Sequence, residues 1–163
     1  MLLAGVLFRG QVSDALITRG DDQLRFGDRG SAIRYYERSL RIAPRNTTAA
    51  DRLAFTLAMQ REPRALERAI EISTRALTGE PANLALLADR AFAEIRLGQT
   101  LQAARDFASA AALGHDARYA SFAARLARKG GNRELAIREA GEALRDDPAF
   151  APALLEARRG ERR

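Results

Sequence analysis

Few residues of this sequence have the type and spacing that catalysis requires. His115 is the only histidine and cysteine is absent, which excludes thiol catalysis, disulfides and thiolate metal sites. Gly130–Asn132 has the context of a turn between helices rather than that of a phosphate-binding loop. The sequence also contains neither a GxSxG nor an HExxH motif. We therefore predict that the protein is not an enzyme and holds no metal and no cofactor.

The remaining residues with binding chemistry are mostly cations. Of the 27 basic residues only Lys129 is a lysine, and the net charge is +6. Residues 117–163 hold 11 basic and 7 acidic residues, whereas residues 47–116 hold 8 and 9. Such basic regions attract acidic partners or nucleic acid, although interspersed charges on solvated helix faces are the more ordinary explanation.

The elements that position these residues are helices, because the sequence repeats itself at a nearly fixed period. The stretch 27–46 (GDRGSAIRYYERSLRIAPRN) returns at 98–116 and 131–148, with a diverged copy at 64–81. Small residues recur every 33 to 37 positions in three columns, which are Gly20, Ala54, Ala91 and Ala124; Ala32, Ala69, Ala103 and Ala136; and Ser39, Ala76, Ala110 and Ala143. Small residues let two helices approach closely, so each repeat is expected to be a helix pair.

Glycines and prolines mark the ends of these helices. Gly27, Gly98 and Gly131 are expected to end the first helix of a repeat with a positive φ angle. The expected helices span about 13–26, 30–43, 47–60, 65–79, 84–97, 100–113, 117–129, 133–146 and 149–159. We therefore expect an apolar N-terminal segment (1–12), four repeats (13–46, 47–83, 84–116 and 117–148), and a capping helix with a frayed tail (149–163).

These columns and the period of about 34 residues resemble the tetratricopeptide repeat family. The first repeat fits through Gly20, Gly27, Ala32, Tyr36 and Pro44, and the third through Ala91, Gly98, Ala103, Phe107 and Ala110. The second repeat departs from the family pattern at its turn around Pro63, and the fourth has Ala140 in place of the usual aromatic residue. The resemblance implies an all-α protein, a right-handed superhelix (solenoid) whose first helices line a concave groove.

Projection of the first helices onto that groove gives candidate partner-binding residues. They are Arg52, Phe55, Met59, Asp89, Phe92, Arg96, Arg118, Phe122, Arg125 and Arg128. Phe55, Met59, Phe92 and Ile95 are expected to accept apolar anchors, and the arginines to pair with carboxylates. The alternative is that some of these side chains pack against neighbouring helices. Some chaperone-binding members of the family hold a terminal carboxylate with lysines and asparagines, but Ile17 and Asp21 stand at the corresponding places here.

One charged pair is expected inside the third repeat. Arg90 occupies the column of Leu53, and Asp106 lies sixteen residues later, in the partner helix. We predict an Arg90–Asp106 bridge, with Glu94 nearby. Its role is expected to be structural, because a buried arginine without a partner is strongly destabilising.

The first eight residues, MLLAGVLF, form an uninterrupted apolar run. Eight residues are too few to cross a bilayer, which needs about 20. Neither a preceding basic stretch nor a clear cleavage site supports a signal peptide. The segment is expected to be either an extra helix or the remnant of an anchor in a longer parent protein. The cytoplasm is favoured as the compartment, with a membrane-tethered parent as the alternative.

The repeat pattern and the mixed groove predict a protein–protein interaction scaffold that binds a peptide or helix of another protein. An alternative is binding of nucleic acid or another anionic partner through the arginine-rich ends. Only Tyr119 and Phe122 are interleaved with those arginines, which disfavours nucleic acid. Self-association, giving a homo-oligomer, is the third hypothesis.

Overall fold

The computed structural model describes residues 2–149, with side chains from Phe8 onward. Within this range the secondary structure is entirely helical. The helices are α1 (Leu2–Arg25), α2 (Arg29–Ile42), α3 (Thr47–Ala58), α4 (Pro63–Leu77), α5 (Leu84–Arg96), α6 (Thr100–Gly114), α7 (Ala117–Lys129) and α8 (Arg133–Asp146). The expected ninth helix and frayed tail lie outside the described residues. The all-α class predicted from the repeat is therefore confirmed.

Seven of these helices begin and end within two residues of the expected positions. The first helix differs, because α1 begins at Leu2 rather than near residue 13. Residues 2–12 contain no proline, so nothing in the sequence interrupts the backbone ladder before Arg25. The apolar segment thus continues α1 instead of forming a helix of its own. No helix in the described range has the length and apolar content needed to cross a membrane.

Local capping fixes where most of the helices begin. The side chains of Asn46, Asn83 and Asn132 each accept a hydrogen bond from the backbone N–H three residues later. Asp28 does the same for α2 through Ser31. These bonds satisfy N–H groups that lack a partner inside the helix.

Glycines with positive φ angles end the first helices, as the sequence predicted. The φ angles of Gly27, Gly98 and Gly131 are 83°, 77° and 82°. His115 also has a positive φ angle, 47°, and ends α6 in the left-handed conformation. The turn after α6 therefore uses a residue for which this conformation is uncommon.

The chain divides into two compact units, Met1–Pro81 (unit 1) and Ala82–Arg163 (unit 2). In unit 1 the first two helices meet at the small-residue columns. Ala32 is fully buried there and Gly20 is buried, and the Tyr36 ring lies so close to Gly20 that a Cβ atom on Gly20 would be 2.4 Å from it. The Tyr36 hydroxyl donates to Asp21 Oδ1 over 2.7 Å. Glycine in this column therefore permits a close approach of α1 and α2.

In unit 2 alanines from α5, α6 and α7 form a core around one aromatic side chain. Ala91, Ala103 and Ala123 are fully buried, as is Phe107 of α6. Leu126 and Leu135 add larger apolar groups from α7 and α8. The small side chains let the helices approach closely enough for the Phe107 ring to contact residues of both α5 and α7.

Candidate functional site

The candidate site lies on the solvent-exposed side of α5 and α7 in unit 2. On α5, Leu87 and Ala91 are buried in the core, whereas Phe92 and Ile95 are 45% and 39% exposed. On α7, Phe122 is half-buried and Arg125 is exposed. We refer to Phe92, Ile95, Phe122 and Arg125 together as the aromatic–arginine face. Phe92 and Ile95, which are exposed, and Phe122, which is half-buried, therefore leave apolar surface accessible to a partner.

The buried ring of Phe107 holds the aromatic residues of this face in position. Its centroid lies 5.3 Å from that of Phe92, in an edge-to-face contact. It lies 5.5 Å from the centroid of Phe122 and 5.7 Å from that of Tyr119, which stacks on it. Such ring pairs contribute about 0.5–1.5 kcal/mol beyond simple burial. Phe92 and Phe122 are therefore held by one fixed ring while part of each remains accessible.

A cation covers one of these rings. The guanidinium carbon of Arg125 lies 5.2 Å from the ring centroid of Phe122, within the range of a cation–π interaction. Arg118, about two helical turns before Arg125, is held instead by Asp116, with Nη2 donating to Oδ2 over 2.7 Å. That guanidinium holds the pKa of Asp116 below its usual value. Arg125 therefore presents its charge at the surface beside an aromatic ring, whereas the exposed Arg118 is paired with Asp116.

Behind this face, the structure brings Arg90 and Asp106 together. Arg90 Nε donates to Asp106 Oδ2 over 2.6 Å, and Nη2 donates to Oδ1 over 2.8 Å. The two side chains are 20% and 11% exposed. Such a two-pronged contact matches the planar guanidinium to the carboxylate. It links α5 to α6.

Glu94 shares the surroundings of this pair without an equivalent partner. It is 6% exposed, and its Oε2 accepts no hydrogen bond. Burial, followed by the negative charge of Asp106, raises the pKa of Glu94 to about 7, and Arg90 only partly offsets these effects. Two carboxyl groups thus share one cation, and the hydrogen-bonded one is Asp106.

Glu94 should make the stability of unit 2 depend on pH. Because its folded-state pKa, about 7, exceeds its usual 4.5, folding favours the protonated form. The associated stability is present below pH 4.5 and is lost as the pH rises through 7, by about 3 kcal/mol. Urea unfolding followed between pH 4.5 and 8 should show this decline. Glu94→Gln should flatten it, and an unchanged slope in that variant would exclude Glu94 as its source.

Unit 1 carries a smaller exposed apolar pair on α3. Phe55 and Met59, one helical turn apart, are 44% and 38% exposed. Arg52, one turn before Phe55, lies 3.4 Å from carboxylate oxygens of Asp21 and Asp51. Its charge is therefore balanced by two neighbouring carboxylates, in contrast to that of Arg125.

The structure places the other candidate residues differently. Arg96 and Arg128 are exposed, as expected for partner-binding residues. Asp89 is only 7% exposed, so its side chain is not on the accessible surface. The projection put Asp89 on the same face of α5 as Phe92, because residues three apart share a helix face, but it does not include the neighbouring groups that cover Asp89. The sequence did not predict that Phe107 contacts Phe92, Phe122 and Tyr119. The spacing of Tyr119 and Phe122, three residues apart in α7, indicates only that these two rings share one helix face.

The described residues contain no group of histidine and carboxylate side chains that could hold a metal ion. His115 lies 3.9 Å from Asp146 but is 84% exposed. What the candidate site offers is contact area and charge at a surface.

No protein-family model and no curated protein matches this sequence. Solved structures do match it. A tetratricopeptide repeat protein from Parabacteroides merdae ATCC 43184 is 24% identical, with a TM-score of 0.72 over 90% of this chain and 58% of that one. The protein MamA is 19% identical, with a TM-score of 0.76 over 93% and 81%. PilF of Pseudomonas aeruginosa is 20% identical, with a TM-score of 0.69 over 93% and 68%.

This chain thus spans 58% of the length of the Parabacteroides merdae protein. The helix order, the positive φ angles at the three turn glycines and the small-residue columns, which are buried except at the partly buried Ala76 and Ala136, agree with that fold. At such identities the likeness concerns the fold rather than the partner. The resemblance drawn from the sequence is confirmed, and the chain has the tetratricopeptide-repeat fold.

Proposed function

We propose that this protein is a non-enzymatic scaffold that binds a peptide or helix of a partner protein. The observation that carries this proposal is the aromatic–arginine face, where Phe92 and Ile95 remain 45% and 39% exposed beside Phe122 and Arg125. Aromatic side chains and arginine are the residues in which binding energy usually concentrates. One histidine and no cysteine in the whole sequence further disfavour catalysis.

The fixed positions of these side chains favour binding. Ordering a mobile side chain at an interface costs about 0.5–1.5 kcal/mol. Phe92 and Phe122 already contact the buried Phe107 ring, and Arg125 already covers Phe122. A partner would therefore meet groups that need little further ordering.

The proposal is tested by retention of a partner from the lysate of the source organism at two salt concentrations. The full chain should retain a discrete protein, and a double variant, Phe92→Ala with Arg125→Glu, should lose it. A matched control, Ile137→Ala with Arg105→Glu, alters an exposed apolar residue of α8 and an exposed arginine of α6. Equal retention by both double variants would contradict the proposed site. Recovery of nucleic acid alone, released by moderate salt, would contradict the proposed function.

A further inference from the structure

We infer that the aromatic–arginine face takes an acidic protein segment that carries an aromatic or aliphatic anchor. This inference rests on the proposed function and adds the chemistry of the partner. It follows from the charges exposed on α5 and α7 and from the way in which the aromatic rings are covered.

The charge distribution on these two helices is one-sided. The sequence of α7, Ala117–Lys129, contains Arg118, Arg125, Arg128 and Lys129 and no acidic residue. The two acidic residues of α5, Asp89 and Glu94, are 7% and 6% exposed, whereas Arg96 is exposed. The accessible side of α5 and α7 is therefore cationic, and an acidic segment complements it.

Arg125 is the cation best placed to meet a carboxylate. Within the described residues its guanidinium lies over the Phe122 ring and makes no ion pair. Arg118 already donates to both carboxylate oxygens of Asp116. A partner carboxylate at Arg125 could accept a two-pronged contact while the guanidinium stays on the ring. The acidic residue of the partner should therefore lie close to its apolar anchor.

The apolar part of the face fits a side chain better than a nucleobase. Binding of single-stranded nucleic acid uses aromatic ring faces on which bases stack. Here Arg125 covers a face of Phe122, Tyr119 stacks on Phe107, and Phe107 itself is buried. Phe92 and Ile95, one turn apart on α5, instead offer an exposed apolar surface made of one aromatic and one aliphatic side chain. An inserted aromatic or aliphatic side chain matches that surface.

Selection from a displayed library of random dodecapeptides on the immobilised full chain tests this inference. Enriched peptides should be net acidic and contain an aromatic or large aliphatic residue. In fluorescence anisotropy their affinity should fall about tenfold with Phe92→Ala or with Arg125→Glu, because each removes one anchor. Ile137→Ala and Arg105→Glu are the matched controls and should bind as the unaltered chain does. Circular dichroism checks that every variant is folded.

The other outcomes separate the inference from the proposed function. Enriched peptides that are basic or uncharged, yet are lost with Phe92→Ala, would overturn the acidic partner and leave the scaffold function in place. If neither Phe92→Ala nor Arg125→Glu weakens peptide binding, the assignment of the binding site to the aromatic–arginine face is overturned. If no peptide is enriched and a single-stranded oligonucleotide binds with steep salt dependence, both the inference and the proposed function are overturned.

Discussion

Replacement of Arg90 by leucine is expected to lower the free energy of unfolding by about 3 kcal/mol. The substitution leaves Asp106 buried without its two-pronged partner, 2.6 and 2.8 Å away in the protein. It also leaves Glu94, 6% exposed, near a second carboxyl group with no cation between them. A loss of this size is typical when one member of a buried ion pair is removed. Urea unfolding of the full chain measures it.

The control for Arg90→Leu removes the charges together. Replacing Arg90, Glu94 and Asp106 all by leucine should restore most of the lost stability, because apolar residues often substitute for a buried ion pair without loss. Leu53 already occupies the column of Arg90 in the second repeat. If Arg90→Leu reduced partner affinity and left stability unchanged, the structural role of the pair would be wrong.

Gly20→Ala is the second substitution with a large expected effect. In an exposed helix this change stabilises by about 1 kcal/mol, because alanine is the better helix former. Here the new Cβ atom would lie 2.4 Å from Tyr36 Cε1 and 2.8 Å from Cδ1. The ring is fully buried, and its hydroxyl donates to Asp21, so it cannot move away freely. We expect a net loss of about 2 kcal/mol, measured by urea unfolding.

The same helix supplies a matched control. Gly10 also lies within α1, but a Cβ atom there would have no neighbour within 4 Å. Gly10→Ala should therefore be neutral or slightly stabilising. Equal destabilisation by the two substitutions would show that α1 is sensitive to alanine in general rather than to contact with Tyr36.

Much of the fold could be predicted because the repeat expresses it in local signals. The turns at positions 27, 98 and 131 require positive φ angles, in which an L side chain is strained. Glycine therefore stands at all three positions, and this requirement is visible in the sequence. Small residues such as Ala91 and Ala103 are fully buried because close helix contacts admit nothing larger. The start of α1 at Leu2 could not be predicted, because Ser13 has the residue type of a helix cap but lies inside α1, where its hydroxyl contacts that of Ser39 over 2.7 Å.

The candidate site was less predictable, because it depends on contacts between helices. Projection onto one helix placed Phe92 correctly on the surface, but it placed Asp89 there as well, and Asp89 is 7% exposed. A helix projection does not include the neighbour that covers a side chain. Glu94 shows the same limit: spacing put it near Arg90 and Asp106, yet only the packed helices determine that its Oε2 accepts no hydrogen bond.

One buried residue, Phe107, connects the core of unit 2 to the proposed binding face. Phe107 is fully buried and contacts both Phe92 and Phe122, so the packing that stabilises unit 2 also positions the side chains proposed for binding. The Arg90–Asp106 pair ties α5 to α6 in the same unit. Its loss should therefore weaken binding through the stability of unit 2 rather than through a contact with the partner.

The most direct test of the proposed binding face is an amide NMR titration of the isotope-labelled full chain. The probe is an acidic peptide with a single phenylalanine, and a peptide with alanine at that position is its control. We expect the largest chemical-shift changes on α5 and α7, centred on Phe92 and Arg125, and smaller changes with the control peptide. Saturable changes centred instead on α6 and α8, with none around Phe92, would contradict the proposed binding face.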